Sequence, residues 1–363
     1  MAVQESAIID ALRAVKDPDL HRDIVTLGFV KDLEIAEDGV VKFSVELTTP
    51  ACPVKDQLHD ECVQVVSALD GVTRVEVTMT ARVMPRKPSQ EELLPGVKHV
   101  IAVASGKGGV GKSTVSVNLA VALAQTGAKV GLLDADVYGP SIPMMMGCAE
   151  ARPLTRDQKI VPIEKFGLKM MSLGFLLEDG QAVLWRGPMV AGTVRQLLAD
   201  VEWGDLDYLL VDLPPGTGDA PMSLAQLAPL SGVLIVTTPH TVAASIAGKS
   251  AALFRRLNAP ILGVLENMGT YVCPECGHAS RLFAGMTGEE LATTLGTAYL
   301  GSVPLDPVVG TGGEIGVPSI LGHADRPQAQ AFREAAGLLA SQISILAASR
   351  EEFSSENANF QAV

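Results

Sequence analysis

The segment SGKGGVGKST, residues 105–114, places glycines, lysines and hydroxyl side chains at the spacing of a phosphate-binding loop. It fits the pattern G-x-x-x-x-G-K-[ST], and an apolar run precedes it while a helical pattern follows. Glycines let backbone N–H groups turn inward around phosphates, the lysine adds positive charge, and the serine hydroxyl can bind Mg²⁺. The segment therefore predicts a nucleotide-binding site. We expect the nucleotide to contact Gly106, Lys107, Gly108, Gly109, Val110, Gly111, Lys112, Ser113 and Thr114.

Carboxylates follow two predicted strands farther along the chain. LLDADVYGPS supplies Asp134 and Asp136, and LLVDLPPGTGD supplies Asp212. Because parallel strands bring their carboxyl ends to one edge of a sheet, we expect these groups beside the phosphate loop. Asp212 and Asp134, together with Ser113, are the predicted Mg²⁺ ligands. Asp136 is the candidate for orienting the attacking water, and Lys112 for neutralising charge. The alternative is ordinary strand-end and turn chemistry.

Two cysteines stand in VCPECGH, a turn that can aim Cys273 and Cys276 at one point. Zinc and iron–sulfur clusters each need about four ligands, so even with His278 the site is one ligand short. A two-fold symmetric dimer would bring the same pair from both subunits together. Iron with sulfide, zinc and a redox dithiol all remain open from the residues alone.

The elements that must position these groups form an α/β pattern. From residue 99 onward, near-continuous apolar runs alternate with helical segments, which predicts a doubly wound, mostly parallel sheet. Residues 151–185 are typical of an inserted hairpin. We predict a P-loop ATPase domain over residues 99–348 and a polar tail over 349–363.

The first part of the chain has a different character. Residues 1–84 mix strand-like alternation with helical periodicity, which predicts a small α+β domain. The segment 85–98 is rich in proline and mixed charge and is predicted to be a linker.

Composition narrows the class of protein. A net charge of −13 in 363 residues disfavours nucleic acid as a partner, because backbone binding depends on clustered lysine and arginine. The longest apolar runs are far shorter than the ~20 residues of a membrane span, so no membrane partner is expected. The first residues of the chain do not show the basic segment followed by an apolar segment that a secretory signal has. The whole chain has five cysteines, which are too few for a disulfide framework. We expect a cytoplasmic protein.

The extra lysine in the loop carries a resemblance. KGGVGKST, with Lys107, resembles the deviant Walker A loop of the ATPases that include nitrogenase iron protein, MinD and the partition ATPases. The resemblance implies that Lys107 reaches the nucleotide of a partner subunit in a homodimer. It also implies that Asn267 contacts the adenine base and that ATP hydrolysis is slow.

A closer resemblance rests on five motifs in order: SGKGGVGKST, DADVYGPS, WRGPM, DLPPGTGD and ENMG followed by CPECG. This combination resembles the Mrp/ApbC iron–sulfur cluster carrier ATPases. The resemblance implies that Cys273 and Cys276 of each subunit bridge a labile [4Fe–4S] cluster. Such a dimer would receive the cluster from scaffold proteins and pass it to apo iron–sulfur proteins. The alternatives are a spatial or partition ATPase like MinD, and a zinc-bridged regulatory ATPase.

The first domain carries a resemblance of its own. VKDPDLHRDIVTLGFVKDLEI and LTTPACPVKDQL resemble the small iron–sulfur assembly domains of the MIP-eighteen group. Cys52 precedes Pro53 at a predicted helix start, where the helix dipole is expected to lower the pKa of its thiol. Cys52 is thus a candidate transient ligand for a metal or cluster, and a buried packing residue is the alternative.

Overall fold

The architecture comes from a computed structural model that describes residues 3–36, 38–83, 93–177, 187–216, 218–228, 230–273 and 275–360, with side-chain environments for all of these except 187–188, 219–220 and 350–360. The chain divides into two compact units. One comprises Met1–Met84 with Ala340–Val363, and the other comprises Pro85–Leu339.

The N-terminal unit is a three-stranded sheet with two helices and a small two-stranded ladder. Strand β3 pairs antiparallel with β4, and β4 pairs parallel with β5 through a crossover that contains α2. Alternate residues of β4 are buried, as expected for a sheet with one face in the core. The small α+β domain predicted from the sequence therefore has its own core. Its elements are α1 (Glu5–Leu12), β1 (Lys16–Asp17), β2 (Arg22–Asp23), β3 (Val30–Ile35), β4 (Val40–Leu47), α2 (Lys55–Ser67) and β5 (Arg74–Ala81).

The second unit contains a nine-stranded sheet flanked by helices. Its strands are β6 (Val97–Ser105), β7 (Val130–Asp134), β8 (Thr155–Arg156), β9 (Lys159–Ile160), β10 (Ile163–Lys165), β11 (Leu168–Ser172), β12 (Leu206–Asp212), β13 (Leu230–Thr237), β14 (Ile261–Val272), β15 (Ala279–Ser280) and β16 (Tyr299–Leu305); β8 and β9 form a separate two-stranded ladder. Its helices are α3 (Lys112–Gln125), α4 (Ile142–Met145), α5 (Gly187–Ala199), α6 (Asp219–Leu227), α7 (Thr241–Arg256), α8 (Gly288–Leu295), α9 (Pro307–Ile315), α10 (Ser319–Gly322) and α11 (Pro327–Phe360), and α11 extends into the range of the first unit.

The order of strands in the large sheet fixes where a ligand can bind. The order is β10-β11-β7-β12-β6-β13-β14, with β15 and β16 both paired to β14. All pairs are parallel except β10 with β11 and β14 with β15. From β6 the chain moves to β7 on one side and later returns through β13 to β14 on the other. Open α/β sheets bind ligands at such a reversal, beyond the carboxyl ends of the strands.

Burial explains why the central strands are continuously apolar. Every residue of β7 and β13 is buried, because helices cover both faces of the sheet. The predicted fold class, a doubly wound and mostly parallel sheet preceded by a small α+β domain, is confirmed.

Three local predictions differ from the structure. The linker predicted over residues 85–98 is too long, because β6 begins at Val97, which pairs with Leu206 of β12. The segment predicted as an inserted hairpin contributes β11 to the main sheet, parallel to β7, so only its pairing with β10 is a hairpin. Helix α11 continues through Phe360 across most of the predicted polar tail; residues 350–360 contain no glycine or proline to end it. In the part of the chain that the structure describes, no helix is both long and apolar enough to cross a membrane.

Candidate functional site

The phosphate loop joins the end of β6 to the start of α3. Gly109 and Gly111 have φ values of +80° and +78°, a region that side-chain-bearing residues rarely adopt. A Cβ on Gly106 would overlap the backbone of Ile246 and Ala247 in α7, so a side chain there would push the loop from that helix. Glycine at these positions therefore lets the loop close tightly.

The loop encloses a cavity of about 190 Å³. Residues 107–114 line it together with Ser105, Asp136, Met145 and Pro215. The structure thus brings Asp136 to the phosphate loop, as the motif spacing predicted. A cavity surrounded by backbone N–H groups and the first turn of a helix favours a bound anion.

Asp212 is the centre of a buried polar cluster at the start of α3. Its Oδ2 lies 2.7 Å from the Lys112 ammonium and accepts a hydrogen bond from Ser113 Oγ at 2.6 Å. Its Oδ1 accepts a hydrogen bond from Ser116 Oγ at 2.6 Å. Both members of the ion pair are buried, so removing Lys112 alone would leave a buried carboxylate without its counter-charge, at a cost of about 3–5 kcal/mol.

Asp134 stands opposite Asp212 on the neighbouring strand. Its Oδ2 accepts hydrogen bonds from Ser172 Oγ and from the backbone N–H groups of Ser141 and Ile142, all at 3.1–3.2 Å. Burial, followed by the charge of Asp212, raises the pKa of Asp134 to about 7. The structure therefore gives this predicted metal ligand a second use, which is to fix the segment that leads into α4.

Asp136 lies on the cavity wall two residues later. Its backbone N–H donates to Asp134 Oδ1, and its own Oδ1 accepts from the Tyr138 N–H. Burial raises its pKa, and the nearby Lys112 charge opposes that shift. A half-buried carboxylate beside the phosphate loop is suitably placed to hold a water molecule.

Lys107 lies at the mouth of the cavity. Its side chain is half-buried, and its backbone carbonyl accepts a hydrogen bond from Ser105 Oγ. Among the described residues no carboxylate lies within ion-pair distance of its ammonium group. The charge is therefore available to an anionic ligand.

Asn267 is buried near the middle of β14, beside the loop. Its Nδ2 donates a hydrogen bond to the Val110 carbonyl at 2.9 Å, and a Cβ on Gly111 would overlap that nitrogen. The structure thus places this predicted adenine contact against the phosphate loop itself.

Cys273 and Cys276 occupy a turn at the end of β14. Strand β15 returns antiparallel to β14, pairing Tyr271 with Ser280 and Val272 with Ala279. The turn is closed by two backbone bonds, from Cys273 N–H to the His278 carbonyl and from Gly277 N–H to the Cys273 carbonyl. We call residues 273–280 the cysteine hairpin.

The cysteine hairpin exposes its thiols and activates one of them. Cys273 is half-buried and Cys276 is exposed. The backbone N–H groups of Cys276 and Glu275, and then the Cys276 thiol, stabilise the Cys273 thiolate and lower the pKa of Cys273. Within the described residues no group of three or more His, Cys, Asp or Glu side chains has the geometry for a metal ion. One chain thus contributes a pair of thiols.

Cys52 corrects a prediction from the sequence. We expected the helix dipole to lower its pKa, but burial raises it to about 11, and the charges of Asp17 and Asp19 add to the increase. Helix α2 begins only at Lys55, three residues later, so the stabilising effect of its N-terminus is weak. Cys62 packs in the core of the same unit, whereas Cys52 packs at the edge of that core.

Sequence reasoning missed two hydroxyl groups of the site. Ser116 lies one helical turn after Lys112, and this i, i+4 spacing could have indicated that it also faces Asp212. Ser172 ends β11 and binds Asp134, but no local pattern shows that β11 lies beside β7.

Comparison with known families covers both units. The family model described as the NUBPL iron-transfer P-loop NTPase, of the ParA type, matches residues 96–340. A model described as an iron-sulfur cluster assembly protein matches residues 5–78.

A similar protein spans almost the full chain, and similar solved structures span about two thirds of it. An iron-sulfur cluster carrier protein of Deinococcus radiodurans is 46% identical over 342 residues, covering 93% of this chain and 95% of the relative. The solved nucleotide-binding protein of Archaeoglobus fulgidus in complex with ADP is 40% identical, with a TM-score of 0.56 over 62% of this chain and 89% of that one. MinD of Pyrococcus horikoshii, solved with Mg-ADP, is 23% identical with a TM-score of 0.50, over 66% of this chain and 94% of that one, and shares the fold.

Proposed function

This chain belongs to the NUBPL-type iron-transfer P-loop NTPase family, and from that premise we propose that it is an ATP-dependent iron–sulfur cluster carrier. It binds and slowly hydrolyses ATP as a homodimer, holds a labile [4Fe–4S] cluster between its subunits, and transfers the cluster to apo-proteins. The observation that carries this proposal is that one strand connects the nucleotide site with the cysteine pair. Strand β14 contacts the phosphate loop through Asn267 and ends at Val272, immediately before Cys273.

The nucleotide site supports an ATPase. Lys112 and the loop N–H groups neutralise the phosphates, and Asp136 orients the attacking water. The hydroxyl of Ser113 and the carboxylate of Asp212 are adjacent hard oxygen donors, which is the donor set that Mg²⁺ prefers. These two residues, with Asp134 on the neighbouring strand, would hold Mg²⁺, which neutralises phosphate charge when bound.

The cysteine hairpin supports a shared cargo site. A [4Fe–4S] cluster takes four thiolates, and each chain offers Cys273 and Cys276 in a single turn. Two copies related by a two-fold axis would supply four. The ammonium group of Lys107 is available to the nucleotide of the second copy, so the same dimer would complete both sites.

The N-terminal unit is proposed to serve exchange with other proteins. Residues 5–78 match an iron-sulfur cluster assembly model. We assign residues 1–84 to contact with apo-proteins or cluster scaffolds, 85–96 to a linker, 97–348 to the ATPase, and 349–363 to a polar C-terminal tail, because β6 already begins at Val97. Cys52 is proposed as a transient ligand whose high pKa keeps it a thiol until a metal displaces the proton.

Anaerobic reconstitution with iron and sulfide tests the cargo. Wild-type chain should gain thiolate-to-iron absorption and about four irons per dimer, and the pair Cys273→Ala with Cys276→Ala should gain neither. Lys112→Ala is the informative comparison, since it should load a cluster but lose ATP turnover and ATP-dependent transfer to an apo-protein.

The same experiment can contradict the proposal. Uptake of zinc alone by the wild type would support a zinc-bridged regulatory ATPase. Iron retained by the double variant at the wild-type ratio would place the cluster elsewhere in the chain.

A further inference from the structure

Strand β14, which precedes the cysteine hairpin, connects the hairpin to the phosphate loop. Asn267 has 5% of its surface exposed and donates Nδ2 to the Val110 carbonyl at 2.9 Å. When the N–H groups of a phosphate loop point at the ligand, its carbonyls face outward and need donors from the surrounding protein. Asn267 supplies such a donor, and Cys273 lies six residues after it, just beyond the end of β14.

A second connection reaches the hairpin from the segment that follows it. The backbone of α7 packs against the loop at Gly106, where a Cβ would overlap Ala247. At the N-terminus of α7, two turns before Ala247, the ring of the N-cap residue His240 contacts the Phe283 ring edge-on, with centroids 6.2 Å apart. The Gly285 N–H donates to the Pro239 carbonyl at 3.2 Å. Both flanks of the cysteine hairpin thus contact elements that themselves contact the phosphate loop.

A buried carboxylate fixes β14 beside Asn267. Glu266 is 3% exposed and accepts hydrogen bonds from the Gly288 N–H at 2.6 Å and from Ser302 Oγ at 2.8 Å. The residues around Glu266 are tightly packed, as shown by Gly269, where an added Cβ would overlap the Ser302 side chain. Glu266 therefore joins β14 to α8 and β16, while Asn267 joins it to the loop.

The ladder changes immediately after this anchor. Asn267 pairs with Val303 on β16, and the next pair is Tyr271 with Leu305, so four steps along β14 oppose two along β16. Met268, within this bulge, has a φ of +58°. A bulge is a place where a strand can change direction without breaking the pairs before it. The hairpin can thus change its direction relative to Asn267 while the pairs before the bulge stay in place.

We propose that Asn267 is a positioning residue that couples the state of the phosphate loop to the cysteine hairpin, so that bound nucleotide changes the exposure of Cys273 and Cys276. This inference rests on the proposed carrier function only for the biological use of the coupling; its structural basis is independent of that function. A carrier must hold its cargo in one nucleotide state and present it in another, and the Asn267 bond is a direct path between the two sites.

The test measures thiol exposure directly. Full-length, cluster-free, reduced chain is alkylated with iodoacetamide, with and without saturating Mg-ATP, and the modified Cys273 and Cys276 peptide is quantified by mass spectrometry. Wild type should show a nucleotide-dependent change in rate of about fivefold or more. Asn267→Asp removes the donor to Val110 and should reduce the change to less than about twofold. Asn267→Leu, which keeps the number and branching of the side-chain heavy atoms but has no polar group, should do the same.

Asn118→Asp is the matched control. Asn118 also donates Nδ2 to a backbone carbonyl of the loop region, that of Thr114, at 2.9 Å, and its Oδ1 accepts from Ser319 and Ile320. The substitution removes the same kind of bond but lies on α3 rather than β14, so the nucleotide effect on alkylation should persist. ATP affinity is measured for every variant, and comparisons are made with the nucleotide bound.

Three results would overturn the coupling: no nucleotide effect in the wild type, a wild-type effect in both Asn267 variants, or an equal loss in Asn118→Asp. Cluster loading and transfer are measured in parallel. A wild type that loads and transfers its cluster without a nucleotide effect on alkylation overturns the coupling and leaves the carrier function. A wild type with the nucleotide effect that takes up only zinc overturns the carrier function and leaves the coupling.

Discussion

Cys52 and Cys273 lie in turns next to regular structure, yet their thiols have opposite character. Cys52 is enclosed by its domain core and by two acidic residues, which raises its pKa to about 11. Cys273 lies in an open turn where backbone N–H groups point at its sulfur, which lowers its pKa. The difference teaches that the local arrangement of donors and charges, rather than the nearness of a helix or a proline, decides which thiol is ready to bind a metal.

The largest expected effect is in the reactivity of the two thiols. At pH 8, a pKa of about 11 leaves roughly 0.1% of Cys52 as thiolate, because the thiolate fraction falls tenfold for each unit by which the pKa exceeds the pH. Only the thiolate reacts with an alkylating reagent. Iodoacetamide should therefore modify Cys273 roughly 100-fold faster than Cys52, as measured by peptide mass spectrometry. Raising the pH should speed Cys52 by about tenfold per unit up to pH 10, whereas Cys273 should level off earlier. Equal rates at pH 8 would remove the contrast.

A smaller effect should come from the backbone of the cysteine hairpin. Gly277 has a φ of +70° with open space around it, so Gly277→Ala should cost about 1 kcal/mol of stability from backbone strain alone. The strain would shift the N–H groups that stabilise the Cys273 thiolate and slow its alkylation. Chemical denaturation and alkylation measure the two effects.

Gly296→Ala is the control for that substitution. Gly296 has a φ of +57°, equally open surroundings, and a place at the end of α8. It should lose similar stability and keep the wild-type alkylation rate at Cys273. If both variants alkylate alike, the hairpin backbone does not control the thiol.

The smallest effect concerns the charges around Cys52. Asp19→Asn removes a charge that raises the pKa of Cys52, so alkylation of Cys52 should accelerate roughly twofold. Asp17 has the larger influence, but its carboxylate accepts hydrogen bonds from the Asp19 and Leu20 N–H groups, and its loss would disturb the turn. Asp10→Asn, an exposed charge on α1, should leave the rate unchanged. Slower alkylation in Asp19→Asn would show that the turn itself had moved.

The sequence predicted those features that depend on short segments. Apolar runs buried on both faces identified the parallel sheet, and the glycine and lysine spacing identified the phosphate loop with Asp136 on its wall. The family resemblance of the ATPase domain is likewise confirmed by a match over residues 96–340. Each of these signals lies within a few tens of residues, where periodicity and motif spacing operate.

The sequence could not predict features that join distant segments. The bond between Asn267 and Val110 spans 157 positions, and nothing near either residue announces it. The membership of β11 in the main sheet likewise depends on pairing with β7 across the chain. The predicted direction of the Cys52 pKa shift is wrong, because the prediction uses only the nearby helix start, whereas burial and the Asp17 charge depend on the fold.

The bulge in β14 has a consequence for local opening of the protein. Before it, Asn267 and Glu266 have buried partners on several sides; after it, Tyr271 and Val272 pair with a two-residue strand at the edge of the sheet. Amide hydrogens on the hairpin side should therefore exchange with solvent far sooner than those on the loop side of the same strand. Under the proposed carrier function, the thiols would separate to release a cargo while the nucleotide site stays folded, so one continuous strand contains both the firm and the yielding half.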